Sequence, residues 1–249
     1  MATSKPKYRE ATHPQISANQ LAQYLTAGPA ARKRIIRDAR YIPTVIVARY
    51  KLAREAIVKC LCDPLQSPTT IAAEKIKLEQ KLAKPGNSSW TKDDLESSVA
   101  ALNRYAATVG QTQLPKLECA EIPGSVPALV ISGLRVKVTP DVIVKQNQGT
   151  GQNPKVGAVV TMIAKGVNST NTRKDQARTA ATLIWMFAQK HLANAGDPER
   201  KLCFSYDVFD GALIPAPGNY LNRISNIEAA CSEILSGWAS ASPPPDFDG

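Results

Sequence analysis

The sequence is poor in the side chains from which metal and redox sites are built. Its 249 residues include only five cysteines and two histidines. Cys60 and Cys62 stand too close together for the two-residue spacing of a zinc knuckle, and no second ligand pair is present. The cysteines are therefore predicted to be reduced, partly buried thiols rather than zinc ligands or a disulfide framework.

Long apolar runs are missing as well. No stretch approaches the ~20 consecutive apolar residues that a membrane-spanning helix needs, and the first residues contain no apolar signal core. Apolar residues make up 43% and charged residues 21% of the chain, which is a globular composition with enough apolar surface for one large or two small domains. A soluble, cytoplasmic protein without a membrane partner is predicted.

Acidic residues are scarce in the first quarter of the chain. Residues 1–59 contain twelve Lys and Arg against three acids, which gives +9 of the total charge of +10. A local excess of this kind produces a field that attracts polyanions, whereas an even excess would only favour solubility. Nucleic acid is the predicted partner, with DNA ahead of RNA, and further protein subunits are a second possible partner.

Prolines and glycines divide this basic region into predicted helices. Ser17 is expected to cap a helix over 16–28, and Gly28-Pro29 ends that helix and begins the next. Basic side chains cover the faces of the second and third helices that carry no apolar stripe. Of the seven candidate nucleic-acid-binding residues named at the end of this paragraph, all except Arg34 are expected to face a common groove. A solvated helix face is the alternative interpretation. The candidate nucleic-acid-binding residues are Arg32, Lys33, Arg34, Arg37, Arg40, Arg49 and Arg54.

Strand patterns dominate after residue 127. The runs "RVKVTPDVIV" at 135–144 and "KVGAVVTMIAKG" at 155–166 predict strands, and a long helix is expected over 170–195. The pattern predicts an α/β (α+β) fold in which helices flank a small mixed sheet over 135–215. The expected division is a basic helical region at 1–85, a mixed domain at 86–240 and a flexible tail at 241–249.

This order of elements carries a short motif. Pro140-Asp141 lies on one predicted strand and Lys165 ends the next, which resembles the PD-(D/E)XK nuclease superfamily over roughly residues 90–215. The resemblance implies that Asp141 binds a divalent metal such as Mg²⁺, and that Lys165 positions the attacking water. Glu96 or Glu121 would be the upstream acid.

The sequence departs from the family pattern at one metal ligand. The acid that should stand two residues before Lys165 is replaced by Ile163, and Thr161 cannot serve as a charged ligand in its place. Asp207 or Asp210 on a neighbouring strand could instead supply the second metal-binding carboxylate. The helix after the motif also has Ala180 where exonuclease-like members have a tyrosine four residues after Gln176.

Three functions are compatible with these features. The favoured one is a nucleic-acid-binding protein on a catalytically degenerate PD-(D/E)XK-like scaffold, acting as an accessory subunit of a DNA-processing or phage-defence complex. The first alternative is an active metal-dependent DNA nuclease with a rearranged acidic site. The second is an interaction module that binds an acidic partner protein. Asp141 and Lys165 could equally be an ordinary edge-strand acid and a solvated strand end.

Overall fold

The computed structural model describes residues 7–44, 49–65, 67–122, 124–163 and 170–247. The predicted α+β fold is confirmed. The chain forms two compact units, and each is assembled from separate stretches of the sequence. The predicted domain boundary after residue 85 stays a prediction. The terminal unit comprises residues 1–47, 126–139 and 218–249, and the central unit comprises residues 48–125 and 140–217.

The described part of the terminal unit contains three helices and two small sheets. Strand β1 (Tyr8–Glu10) pairs with β3 (Tyr41–Pro43), and β2 (Gln15–Ser17) lies parallel to β6 (Leu134–Lys137), which is antiparallel to β5 (Leu129–Ile131). The helices are α1 (Ala18–Thr26), α2 (Pro29–Arg40) and α7 (Tyr220–Trp238).

The start of α1 confirms the predicted cap. The Ser17 hydroxyl accepts a hydrogen bond from the backbone N–H of Gln20, while the Gln20 side chain accepts one from the backbone N–H of Ser17. This reciprocal arrangement satisfies two backbone donors that a helix start leaves without partners. Pro29 occupies the first turn of α2, as predicted, because proline has no N–H to lose there.

The central unit is built around one five-stranded sheet with the order β10-β9-β8-β7-β4. Strands β8 and β9 are parallel, and all other neighbouring pairs are antiparallel. Its strands are β4 (Glu118–Glu121), β7 (Val142–Gln146), β8 (Lys155–Met162), β9 (Asp197–Asp207) and β10 (Ala212–Pro215). Its helices are α3 (Lys51–Leu61), α4 (Pro68–Leu82), α5 (Ser89–Thr108) and α6 (Thr170–His191).

Helices pack on both faces of this sheet. On one face, Ile57 of α3 and Leu102 of α5 share a core with Val144, Val159 and Phe204 of the strands. Helix α6 packs on β8 and β9 and contributes no residue to that core, so it covers the opposite face. Successive strand residues point to opposite faces, and the nearly continuous apolar sequence of β8 fits a strand that is buried on both.

Two strand predictions need correction. Residues 135–215 do not form one sheet, because β6 belongs to the three-stranded sheet of the terminal unit. The run 135–144 is likewise two strands, since β6 ends at Lys137 and β7 begins at Val142. Pro140 lies in the break, where a residue without a backbone N–H cannot donate a ladder hydrogen bond.

Gly157 permits a close approach inside the sheet. The register of β8 against β9 shifts at this point, and a Cβ atom on residue 157 would overlap the carbonyl oxygen of Leu202. Only glycine leaves room for that backbone at this position.

Candidate functional site

Asp141 stands immediately before β7 at one end of the central sheet. Its backbone N–H donates to the carbonyl of Val159 at 2.7 Å, which joins it to β8. The Asp141 side chain is only 5% exposed. A carboxylate this deeply buried requires compensating partners, because desolvation penalises the charged form.

Arg54 of α3 and Thr161 of β8 supply those partners. Arg54 Nη1 lies 2.9 Å from Oδ1 and 3.2 Å from Oδ2 of Asp141. The backbone N–H and the hydroxyl of Thr161 donate to Oδ2 at 2.6 and 2.8 Å. Three of these contacts fall on Oδ2 and one on Oδ1, so the charge of the carboxylate is compensated mainly through Oδ2.

Arg54 is itself held in place by a further contact. Its Nη2 donates to the Thr161 carbonyl at 3.0 Å, so the guanidinium bridges a side chain and a strand backbone. The planar fork of arginine suits this two-point recognition, which orients the charge as well as supplying it. The Arg54 side chain keeps 37% of its surface exposed.

A second buried carboxylate lies at the same end of the sheet. Asp207 ends β9, and its Cα is the register partner of Met162, one residue after Thr161. Since β8 and β9 are parallel, their last residues meet at one edge, beside the start of the antiparallel β7. The paired-carboxylate corner is the name used below for Asp141, Asp207, Arg54, Arg173 and Thr161.

Arg173 compensates Asp207 as Arg54 compensates Asp141. Arg173 Nη2 lies 2.7 Å from Oδ1 and 2.6 Å from Oδ2 of Asp207, and Arg173 Nε lies 3.1 Å from Oδ2. The backbone N–H groups of Phe209 and Asp210 also donate to Oδ1 of Asp207 at 3.1 Å each. The Asp207 side chain is 2% exposed and that of Arg173 is 11% exposed.

The remaining acids proposed for the corner differ in exposure and position. Glu121 is the exposed last residue of β4, and its register partner Val142 directly follows Asp141. Glu96 lies on the exposed side of α5, where its only ion pair in the described chain is a 4.0 Å contact with Lys92. Asp210 keeps 42% of its side chain exposed and lies 3.5 Å from Arg173 Nε.

The predicted lysine lies outside the described residues. Lys165 belongs to 164–169, so its position relative to Asp141 stays a prediction. Ile163, which stands where the family has an acid, is half-buried and packs against the core of the central unit. Ala180, at the position of the family's tyrosine, is buried.

No cluster in the described ranges has the composition of a metal site. No group of three or more His, Cys, Asp and Glu side chains is placed to hold a metal ion within them. Thiol chemistry is disfavoured as well, since burial raises the pKa of both Cys119 and Cys203 to about 12. A protonated thiol is a poor nucleophile and a poor metal ligand.

The basic helix of the terminal unit uses two of its arginines structurally. Arg32 Nε donates to the carbonyls of Tyr24 and Ala27 at 3.2 and 3.0 Å. Arg40 pairs with Glu10 at 2.7 Å and donates to the carbonyl of Trp238 at 2.6 Å, at the end of α7. Cations favour the carbonyl ends of helices, so both arginines stabilise the unit.

The other predicted phosphate contacts are distributed over both units. Lys33 and Arg34 are exposed on α2, and Arg37 Nη2 lies 2.8 Å from its neighbour Asp38. Arg49 and Arg54 belong to the central unit, where Arg49 pairs with Asp93 at 2.6 Å. A groove shared by arginines of both units therefore stays a prediction.

Arg173 was not singled out from the sequence, although the sequence contains a signal. Thr170 begins α6, so Arg173 lies in the first turn, where the helix dipole disfavours a cation. An acidic partner would offset this unfavourable effect, but periodicity along the chain cannot say which acid that is. Its partner Asp207 lies 34 residues later.

No model of a known protein family matches the chain, and no curated protein matches it in sequence. A search for helices long and apolar enough to cross a membrane found none among the described residues.

Proposed function

We propose that this protein binds DNA through its phosphate backbone and does not hydrolyse it, on a scaffold related to the PD-(D/E)XK nucleases. Two features support the relationship. The central unit has a helix, three antiparallel strands, a helix and a parallel strand in chain order, and Asp141 lies at the strand end where the resemblance puts a metal ligand.

The state of Asp141 carries the proposal of catalytic silence. Its carboxylate already accepts hydrogen bonds from a guanidinium, a hydroxyl and a backbone N–H. Mg²⁺ gives up its water reluctantly and relies on anionic oxygens to compensate for that loss. At this corner the ion would have to displace Arg54 from one carboxylate and Arg173 from the other.

Without a bound metal, the corner lacks the means to cleave a phosphodiester. Metal-dependent hydrolysis uses the ion to generate hydroxide from water and to stabilise charge on the phosphate. The two arginines neutralise the carboxylates but cannot activate a water molecule. A protein of this kind would contribute binding, and catalysis would come from another subunit of a DNA-processing or phage-defence complex.

The distribution of charge supports binding. Nine of the ten net positive charges lie in the first 59 residues, which include the exposed cations of α2. Phosphate contacts by Lys and Arg dominate the affinity of proteins for DNA and make it strongly dependent on salt.

An active nuclease with a rearranged site is the second candidate, and one observation favours it. Glu121 is exposed at the end of β4, in register with the residue that follows Asp141. If Arg54 moved away, Asp141 and Glu121 could offer two carboxylates to an incoming metal ion.

Cleavage and binding assays decide between the two candidates. Linear and circular DNA are incubated with the protein and Mg²⁺ or Mn²⁺, and fluorescence anisotropy measures DNA binding at about 50 to 200 mM salt, the range over which phosphate contacts lose most of their affinity. We expect binding that weakens with salt, and cleavage at the level of the buffer alone. Asp141→Asn is the matched variant, because it removes the charge and keeps the shape of the side chain. Metal-dependent cleavage that Asp141→Asn abolishes would identify a nuclease, and no binding at the lowest salt concentration would refute the proposed function.

A further inference from the structure

A groove runs between α2 and the segment that follows α7 in the terminal unit. Its volume is about 530 Å³. Three of its described lining residues are basic, namely Lys33, Arg34 and Arg37, and none is acidic. The opposite wall is formed by small residues, including Gly237, Ser240 and Ser242.

Helical spacing explains why these three cations share the groove. Residues three and four apart lie on one face of a helix, which brings Lys33 and Arg34 together with Arg37. Arg32 and Arg40 differ from these three in their partners, because they already bind carbonyl groups and glutamates of the same unit. Helix α2 therefore separates its cations into a structural set and a groove set.

The floor of the groove is apolar, and its far wall carries hydroxyl groups. Ile36 is buried beneath it, and a Cβ atom at position 237 would come within 3.1 Å of the Ile36 side chain, so Gly237 lets α7 approach closely. Ser240 and Ser242 are exposed and add hydroxyl groups beside the cations. Hydroxyls and cations are the groups that proteins direct at phosphate oxygens.

Two of the groove cations have no competing acid among the residues that the structure describes. Lys33 and Arg34 are exposed and form no ion pair within the described ranges, whereas Arg37 is shared with Asp38. Exposed cations without acidic partners around a concave surface concentrate positive potential and attract anions.

We infer that this groove is where the phosphodiester backbone of the bound DNA is held, with Lys33 and Arg34 as its principal contacts. The inference rests on the proposed function and narrows it, because it assigns phosphate contact to three of the five basic residues of α2. Arg32 and Arg40 stabilise the unit and make no contribution to phosphate binding.

The test compares two double variants that lose the same charge from the same unit. Lys33→Ala/Arg34→Ala empties the groove of its two unpaired cations. Arg135→Ala/Lys137→Ala removes two exposed cations from β6, outside the groove. Affinity for a labelled oligonucleotide, single-stranded or duplex, is measured by anisotropy at several salt concentrations, with circular dichroism as the folding control.

Each phosphate contact multiplies the binding constant by a factor of about [salt]^−0.9, so two contacts raise the binding constant by roughly 60-fold at 0.1 M salt. We expect the groove variant to lose affinity by a factor of that size. The slope of the logarithm of its binding constant against the logarithm of the salt concentration should become shallower by about two. The β6 variant should stay within a few-fold of the parent.

Three outcomes overturn the inference, each in a distinguishable way. If both variants lose affinity equally, only net charge matters and the groove is not the contact surface. If a polyglutamate peptide competes with DNA for the groove as well as unlabelled DNA does, the groove belongs to an acidic protein segment. If the parent itself does not bind DNA at the lowest salt concentration, the proposed function fails and the inference fails with it.

Discussion

The pair between Arg173 and Asp207 offers the sharpest test of the corner, because it is the most deeply buried ion pair described. Among the described residues, Arg173→Ala would leave the Asp207 carboxylate, which is 2% exposed, with only the backbone N–H groups of Phe209 and Asp210 as partners. Removing one member of a buried ion pair typically costs about 3–5 kcal/mol, since a charge remains without compensation. We expect a loss near the lower end of that range in the free energy of unfolding.

Urea denaturation followed by far-UV circular dichroism measures this loss. In a chain of this size, about 3 kcal/mol corresponds to a fall of roughly 6–12 °C in the thermal midpoint. Arg49→Ala is the matched control, because it deletes the same side chain from a pair whose members are 57% and 54% exposed. Exposed pairs contribute about 0–1 kcal/mol, so this control should change little.

A double variant separates the charge from the packing. Arg173→Met/Asp207→Asn keeps the approximate volume of both side chains, and the oxygen of the introduced amide could still accept from the two backbone N–H groups. We expect it to recover most of the stability that Arg173→Ala loses. If Arg173→Ala were no more destabilising than Arg49→Ala, the corner would be open to water and its carboxylates would be available to metal, contrary to the proposed catalytic silence.

Three further predictions concern the rest of the central unit. Gly157→Ala should destabilise the protein by about 1–3 kcal/mol or abolish folding, because its Cβ would overlap Leu202, whereas Gly110→Ala, with open space around its Cβ, should be tolerated in the same melting experiment. Thr108→Val should cost about 1–3 kcal/mol in urea denaturation, because it leaves the buried Tyr206 hydroxyl without its 2.9 Å partner, and an unchanged midpoint would contradict this role. Hydrogen bonds from Lys59 and Lys77 lower the pKa of Glu74 below its ordinary 4.5. The resulting stabilisation should be present above that ordinary pKa and disappear as the pH falls through the lowered pKa, and a Glu74→Gln variant should show a smaller loss of stability over this acidic range.

Local features of the fold could be predicted because their causes lie within a few residues. Ser17 and Pro29 mark helix starts through backbone chemistry that is legible from neighbouring positions, and both predictions are confirmed. The break at Pro140 was missed, although proline cannot donate to a ladder, because alternation on both sides of it resembled one strand. The assignment of β6 to another sheet depends on its parallel pairing with β2, which lies near the start of the chain and which no local pattern reports.

The candidate site was accessible from the sequence only in part, for the same reason. Asp141 could be singled out from its motif, but Arg54 lies 87 residues away from it. Arg54 was instead predicted to contact phosphate, together with the rest of the basic cluster. Composition shows how many cations a segment contains, whereas only tertiary structure shows which of them already have a carboxylate.

If the protein binds DNA as proposed, this distinction limits the affinity it can reach. Arg32, Arg40, Arg49 and Arg54 are each held by acids or carbonyls of their own unit, which leaves Lys33, Arg34 and the partly shared Arg37 among the seven candidates. With a factor of about [salt]^−0.9 per contact, seven phosphate contacts would give a salt slope near about −6, and three give a slope between about −2 and −3. A measured slope at the steeper value would mean that the structural arginines exchange their internal partners for phosphates on binding. A slope at the shallower value would agree with the division of α2 into structural and groove cations, and with a protein that depends on a partner subunit for tight binding.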